Sequence, residues 1–510
     1  MPVNLADSVL AAARQPDRVD RSAILFEDTA VTYGELADAV DRFGGALLRM
    51  GLAPGDRILI VGHDSPELVA AFLGGMRVGI VGILASTRSG ADDLALIAEE
   101  SDARILVCDA PLRATCTQAL SILASSGSSG CRLLSTDDPA ALADRARVTP
   151  TPSPALPDDA EAFWVCSSGS TGRPKGISHR HQALPDACLA FHRDDLGLAP
   201  GDVVLCASKL PFAYAIGNGL LAPLALGLTV VLDRAWPSVA RTFELVTRHR
   251  PAILFSTPTH FRRLFAARGD PRWRALRRIE HVISAGERLP RTLATSWIES
   301  TGHHLLDCWG TSETVFLGLA ADAGSSPGSV GGPLPGVELR IDPRPGDDGI
   351  GELLIRHPFL ASGYGPRTQE AARRFVDGWF RTGDLFVVDD AGCYHHRGRE
   401  DERIKVAGQW VGLPEVEAVL GAHPAVEAGV AVAALDPAGR ERVAFCLIPA
   451  HGVEPQDAVA QVLAAAEEQL PRVKRPRWVR AFEAFPRTTT GKIARRGLRA
   501  LIESESRPPE

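Results

Sequence analysis

The stretch Cys166-Ser167-Ser168-Gly169-Ser170-Thr171-Gly172-Arg173-Pro174-Lys175-Gly176 follows the apolar run Phe163-Trp164-Val165, which suits the end of a strand. Hydroxyls and bare backbone N–H groups can wrap phosphate oxygens, glycine lets the main chain come close, and Lys175 supplies a point charge. It is not the P-loop of NTPases, because no segment of the chain fits G-x-x-x-x-G-K-[ST]. Taken alone, the stretch has a Ser/Gly surface turn as its plain alternative. Ser121 to Gly130 has similar composition without the lysine and reads as a flexible connector.

Around this stretch the apolar pattern predicts an α/β chain. Leu36, Val40, Phe43 and Leu47 form the stripe of an amphipathic helix. Short β-branched runs recur at 57–61, 80–84, 105–107, 203–206, 229–232, 253–255 and 282–283, with helical patterns such as 238–248 and 259–267 between several of them. Apolar strands alternating with helices imply parallel sheets covered on both faces. Residues 336–359 read instead as antiparallel strands around a turn. From about Asp401 the pattern restarts: a short helix ending at Leu420, strands at 425–434 and 442–448, and a helix over 457–469 with Val459, Val462, Leu463 and Ala466 on one side. A C-terminal α+β unit of this size is large enough to fold alone. The tail from Glu503 is polar and reads as disordered.

The chain has 510 residues, 45% of them hydrophobic and 23% charged, within the ordinary range for a globular protein. A net charge of −7 argues against a nucleic-acid binder, whose surface must be basic. The nine cysteines are scattered without a C-x-x-C pair, which predicts reduced thiols in a cytoplasmic protein. The N-terminus has neither the basic region nor the apolar core of a signal peptide, and no apolar run reaches the roughly 18 residues that span a bilayer.

Four further motifs carry chemistry. Asp307-Cys308-Trp309-Gly310-Thr311-Ser312-Glu313 combines an aromatic that can stack a flat base with hydroxyls and a carboxylate suited to Mg²⁺ beside phosphate oxygens. A buried tryptophan at a strand end is the plain alternative. Asp384, in Trp379-Phe380-Arg381-Thr382-Gly383-Asp384, can accept from two neighbouring ribose hydroxyls, and Arg399 can donate to the same sugar or a phosphate; both also suit surface turns. Lys492 follows the turn Thr488-Thr489-Thr490-Gly491, where it could reach a carboxylate and a phosphate together or remain solvated. His179, His181, His303, His304, His395 and His396 form no H-E-x-x-H motif and join no cysteine pair, so they are assigned to surface or packing.

In this order, and with the opening Val31-Thr32-Tyr33-Gly34-Glu35-Leu36, the motifs resemble the ANL superfamily of adenylate-forming enzymes over nearly the whole chain. The resemblance implies a large N-terminal domain (1–400) of parallel αβα sheets with a small β-barrel-like subdomain, and a small mobile C-terminal domain (401–510). It implies that Ser167 to Lys175, including Gly169, Ser170, Thr171 and Gly172, hold the ATP β- and γ-phosphates. Trp309 would stack on adenine within the Asp307-to-Ser312 motif, with Gly286 and Glu287 on the other face. Ser312 stands where the family has threonine. Glu313 would bind Mg²⁺, Asp384 and Arg399 the ribose, and Asp401 would be the hinge. Lys492 would bridge the acid carboxylate and the α-phosphate. Lys405 and Gly408 would belong to the segment used in thioester formation.

The segment Lys209-Leu210-Pro211-Phe212-Ala213-Tyr214-Ala215-Ile216-Gly217-Asn218-Gly219 has no carboxylate where amino-acid-activating relatives carry one for the substrate ammonium. With Ser284-Ala285-Gly286-Glu287 and Gly408-Gln409-Trp410-Val411, it looks most like benzoate-CoA ligases. A pocket of Ala213, Tyr214, Ala285, Gly310 and Leu317 is the implied acid site, with Ile216 and Leu220 as packing. Two departures stand out: Trp309 and Phe316 replace an aliphatic residue and a histidine, and Val411-Gly412-Leu413 replaces Val-Ser-Pro. The expectation is activation of a small aromatic acid with ATP and transfer to CoA. The alternatives are loading of a carrier protein's phosphopantetheine, or a non-catalytic nucleotide-binding scaffold.

Overall fold

The structure is a computed structural model and describes residues 4–127, 130–136, 153–168, 174–182, 184–344, 349–366, 368–406, 409–487 and 493–505. The expectations placed on Gly169, Ser170, Thr171, Gly172, Gly408 and Lys492 lie outside the described residues. The chain divides into two compact units, Met1–Leu339 with Ile355–Phe380, and Arg340–Leu354 with Arg381–Glu510.

The strands of the first unit begin with β1 (Ser22–Phe26), β2 (Thr29–Thr32), β3 (Arg57–Val61), β4 (Val81–Ala85), β5 (Ala103–Cys108) and β6 (Arg132–Ser135). They continue with β7 (Glu161–Ser168), β8 (Pro174–Arg180), β9 (Val203–Cys206), β10 (Thr229–Leu232) and β11 (Ile253–Ser256). β12 (His281–Ser284), β13 (Leu305–Trp309), β14 (Leu319–Ala320) and β15 (Gly332–Pro333) complete the series. One sheet has the order β6-β5-β3-β4-β7-β8 and is parallel except for β8. The other has the order β15-β14-β13-β12-β11-β9-β10-β1-β2, parallel from β13 through β1. Their inner strands, such as β3, β4, β10 and β11, are buried nearly end to end, as parallel sheets covered by helices require. The helix Tyr33–Arg49 starts at a capping box in which Thr32 and Glu35 satisfy each other's backbone N–H groups, and its Leu36, Val40, Phe43 and Leu47 are all buried.

In the second sheet β9 lies between β10 and β11, so the strand order reverses there, the place where open α/β sheets bind ligands outside the carboxyl ends of their strands. Ala213, Tyr214, Ala285, Gly286 and the Asp307 motif all sit at those ends.

In the second unit, strands Val426–Leu435, Glu441–Pro449 and Trp478–Ala481 form a sheet. Leu413–Leu420, Pro455–Gln469 and Arg495–Glu505 are helices, and a hairpin pairs Arg403–Val406 with Gln409–Gly412. Strands Glu338–Pro343, Gly351–Arg356, Trp379–Val388 and Tyr394–Arg399 belong to a further sheet.

Three expectations are corrected. The helix Pro455–Gln469 buries Ala458, Val462, Ala465 and Ala466, leaving Leu463 42% exposed, because the small alanines rather than the leucine lie against the sheet. Ser121 to Ser125 end the helix Arg113–Ser125 rather than forming a connector; the Ser121 and Ser125 hydroxyls bond back to the carbonyls of Thr117 and Ser121. Glu503 to Glu505 are helical, and Glu503 accepts from Leu435 N and Arg499 Nε.

Candidate functional site

The opening stretch is the end of a hairpin. β7 runs on to Ser168 and β8 resumes at Pro174, with Ser167 opposite Lys175 and Ser168 opposite Pro174. Gly176 and Gly365 both press their backbones on the Trp164 indole. A Cβ at Gly176 would lie 2.5 Å from its ring, and one at Gly365, where φ is +32°, 2.9 Å. The indole N–H donates to Glu161 Oε1 at 3.1 Å, the Ser178 hydroxyl donates to the same oxygen, and Arg57 pairs with Oε2 at 2.8 Å.

The ladder aims Lys175 at Glu313. Its Nζ lies 3.8 Å from Glu313 Oε1, donates to Glu370 Oε1 at 3.2 Å, and sits 3.6 Å from the Tyr364 ring centroid. Tyr364 donates its hydroxyl to Glu313 Oε1 at 2.9 Å. Two expected residues, Lys175 and Glu313, are therefore brought together. Tyr364 and Glu370 were missed. Gly363-Tyr364 repeats the glycine-aromatic pairing that marked Trp309, and nothing local marks Glu370.

Asp307 and Thr311 carry buried oxygens, Oδ1 and Oγ1, that find no hydrogen-bond partner among the described residues. Burial pushes the Asp307 pKa up to about 8, against the Leu289 N–H, the Arg288 charge and the Cys308 N–H. Trp309 is half-buried and packs with Ile177 and Ile355. The Ser312 carbonyl accepts from His179 Nε2 at 3.1 Å; that imidazole stacks on Phe163 and Phe359, and burial lowers its pKa to about 3. His179 is thus a packing residue. Gly286 has φ +86°, while Glu287 accepts from Thr259 N and Oγ1 at the start of the helix Pro258–Ala266.

Because its folded pKa is raised, Asp307 contributes stability that is fully present below its unfolded pKa near 4 and lost as pH rises through about 8. Asp307→Asn keeps the shape without the charge. The melting temperature of the variant should gain on the parent between pH 5 and pH 9 in ligand-free protein. A difference constant across that range would refute the assignment.

Tyr214 lies on the short helix Ala213–Ile216. Its hydroxyl donates to the Ile283 carbonyl at 3.1 Å and its ring meets Phe255 edge to face at 5.8 Å. Burial raises its pKa well above the usual phenol value, so it stays neutral. Ala285 and Leu317 pack in the same apolar cluster, and a Cβ at Gly310 would lie 3.3 Å from Leu317 Cα. Ala213 is not in that group; it packs with Leu210, Ile216 and Phe316. Ile216 and Leu220 are core residues. Lys209, at the head of this segment, forms a buried ion pair with Asp64 at 3.0 Å, which the sequence reading missed.

In the second unit Asp384 stands opposite Arg399 in the ladder. Asp384 Oδ1 bonds His396 Nε2 at 3.0 Å, Oδ2 accepts from Arg399 Nη1 at 3.4 Å, and Arg399 Nε donates to Asp401 Oδ1 at 3.2 Å. His396 is thus a partner of the expected ribose carboxylate, a role its sequence neighbourhood did not signal. Lys405 is exposed on the hairpin, opposite Trp410.

Carboxyl ends of parallel strands at a switch in strand order, with the paired Lys175 and Glu313 and the buried oxygens of Asp307 and Thr311, suit an α/β enzyme that binds a nucleotide. The sequence model of the family AMP-binding enzyme matches residues 10–365, and that of the AMP-binding enzyme C-terminal domain matches residues 415–492. The chain belongs to this family, the ANL superfamily of adenylate-forming enzymes. It is 36% identical to 3-hydroxybenzoate–CoA ligase of Aromatoleum sp. (strain CIB), over 98% of this chain and 97% of the relative. It is 34% identical to benzoate–CoA ligase of Thauera aromatica, over 98% and 96%. The solved benzoate CoA ligase from Burkholderia xenovorans LB400 superposes with a TM-score of 0.85 at 30% identity, covering 97% of this chain and 99% of that one. Among the described residues no helix is long and apolar enough to cross a membrane.

Proposed function

We propose that the chain is an AMP-forming aryl-acid–CoA ligase acting on benzoate or a hydroxybenzoate. The observation that carries this reading is identity of 34–36% along almost the whole chain to ligases named for those acids. The apolar cluster that holds Tyr214, Ala285 and Leu317 supports it, because its side chains are uncharged and suit an aromatic ring.

In the first step a carboxylate oxygen of the acid attacks the α-phosphorus of ATP, and the bond to the bridging oxygen breaks as pyrophosphate leaves. The acid is a weak nucleophile and repels the triphosphate, so alignment and charge neutralisation dominate the barrier. Ser167, Ser168 and Lys175 grip the β- and γ-phosphates, together with Gly169 to Gly172. Lys492 bridges the carboxylate and the α-phosphate. Trp309 and Gly286 flank adenine, the free oxygens of Asp307 and Thr311 receive polar atoms of the nucleotide, and Asp384 with Arg399 hold the ribose. Glu313 fits Mg²⁺ as a carboxylate beside Lys175, with Glu370 on the same ammonium. Bound there, the ion would neutralise phosphate charge. In the second step the CoA sulfur attacks the carbonyl, AMP leaves, and the thiol proton passes to solvent. We place a mobile domain at 401–510 with Asp401 as its hinge, which would exchange Lys492 for the Lys405 segment between steps. Both substrates are at hand in the cytoplasm, where we place the enzyme.

The test is ATP–pyrophosphate exchange over a panel of acids, followed by thioester formation with CoA or with a phosphopantetheinyl carrier protein. Exchange with benzoate-type acids and thioester on CoA are expected; thioester on carrier protein alone would sink the CoA reading. No exchange with any acid would refute adenylation. Tyr214→Ala should shift the relative kcat/KM among benzoate and its hydroxy derivatives by tenfold or more while KM for ATP moves less than threefold. An unchanged acid profile would remove Tyr214 from the pocket.

A further inference from the structure

Three groups surround the Lys175 ammonium. Its Nζ donates to Glu370 Oε1 at 3.2 Å, stands 3.8 Å from Glu313 Oε1, and lies 3.6 Å from the centroid of the Tyr364 ring. These neighbours are not equally free to leave. Tyr364 is buried and its hydroxyl donates to Glu313 Oε1 at 2.9 Å, so phenol and carboxylate hold each other in place. The side chains of Lys175 and Glu313 are 13% and 12% exposed, whereas that of Glu370 is 42% exposed. Glu370 rides on the helix Thr368–Arg374, which runs directly into Phe375. The Phe375 ring packs on Tyr364 at 5.4 Å and on Phe380 at 4.9 Å, which anchors the end of the helix. The long Glu370 side chain therefore reaches the ammonium from the solvent side, on a fixed base. An ammonium offers three donors and no acceptor, and of these three neighbours Glu370 is the one at hydrogen-bond distance. A phosphate oxygen arriving at Lys175 meets a carboxylate of its own sign on the same donor, beside a second carboxylate that is already fixed, and the two anions repel.

We propose that Glu370 is a counter-ion that the β- and γ-phosphates of ATP displace from Lys175, so that this carboxylate sets the affinity of the enzyme for polyphosphate. The proposal rests on the reading of Lys175 as the phosphate grip and adds the residue that competes for it. Glu370 is a positioning residue, because it acts through the lysine and touches neither the acid nor the nucleotide. Before ATP binds, it keeps the ammonium beside Glu313. When pyrophosphate leaves after adenylation, it takes the lysine back, which weakens rebinding of that product. AMP carries no β- or γ-phosphate, so its binding does not depend on Glu370.

The experiment measures equilibrium binding of ATP, inorganic pyrophosphate and AMP by calorimetry, at fixed Mg²⁺ and without acid, so that no ATP is consumed. Glu370→Gln should bind ATP and pyrophosphate about fivefold more tightly than the wild type, as removal of one competing ion pair implies, and AMP within about twofold of it. Lys175→Ala should bind ATP about tenfold more weakly. Adding Glu370→Gln to that variant should shift ATP affinity by less than about twofold, because the two residues act as one pair. AMP binding in each preparation reports a folded nucleotide site. A gain that AMP shares, or one that survives in the Lys175→Ala background, is a general effect of charge and overturns the competition. Unchanged or weaker ATP binding by Glu370→Gln, with Lys175→Ala still impaired, overturns the role of Glu370 alone. A Lys175→Ala enzyme that binds ATP as the wild type does removes the lysine from the phosphates, and the grip reading falls together with the proposal.

Discussion

Lys492→Ala should lower acid-dependent pyrophosphate exchange by on the order of 10²–10³-fold while leaving thioester formation from supplied aryl-adenylate within a few fold of the parent. The magnitude is that of removing one preorganised charge-stabilising group from a reacting centre. The asymmetry follows from the chemistry. The attacking carboxylate and the α-phosphate both bear negative charge, and a lysine between them acts while that charge is brought together. In the second step the leaving AMP is already activated and the nucleophile is a thiol, so the same ammonium has little to stabilise. Measuring exchange and single-turnover thioester formation on one preparation separates the two. Equal loss of both steps would refute a lysine dedicated to adenylation and, with it, the alternation around Asp401.

The second large effect concerns stability. Lys209 and Asp64 are buried side by side, and Lys209 also donates to the carbonyls of Asp233 and Ala235. Burial raises the Asp64 pKa even with the lysine at 3.0 Å, so desolvation outweighs the attraction. Lys209→Met would leave the carboxyl without its cation and both carbonyls without a donor. Loss of about 3–5 kcal/mol is expected, read as a fall in the urea midpoint of the first unit's transition. The double variant Lys209→Met/Asp64→Leu should recover at least half of it, because a matched apolar pair carries no desolvation cost. A double variant as unstable as the single one would show that the site depends on the lysine's shape rather than on the pair. The pair ties the exit of β9, which leads into Tyr214, to the exit of β3. Surviving single-variant enzyme should therefore also bind the acid more weakly.

Much of this architecture is legible in the order of residues. Runs such as Arg57-Ile58-Leu59-Ile60-Val61, closed by Gly55 and Gly62, read as buried strands because a strand covered on both faces needs no polar alternation. The stripe Leu36, Val40, Phe43 and Leu47 predicts its helix because 3.6-residue spacing puts those four on one side. Local pattern fails where the deciding partner is distant. Leu463 carried the right spacing, yet the neighbouring sheet accepts the smaller Ala458 and Ala465. In the candidate site, Lys175, Glu313 and the Tyr214 neighbourhood were found from motifs. Tyr364 and Glu370 beside Lys175, His396 on Asp384, and Asp64 beneath Lys209 were not. Each meets its partner through a contact that no periodicity encodes.

The Trp164 indole supports two backbones at once, at Gly176 and at Gly365, and is itself braced by Glu161 and Arg57. Gly176 closes the stretch that reads as a phosphate cradle, while Gly365 directly follows Tyr364, the partner of Glu313. One rigid ring is therefore the common foundation of the lysine strand and of the segment that fixes the carboxylate. Their spacing is built in before any substrate arrives, and disturbance at Arg57, on β3 of the same sheet, would travel through Glu161 and the indole to both.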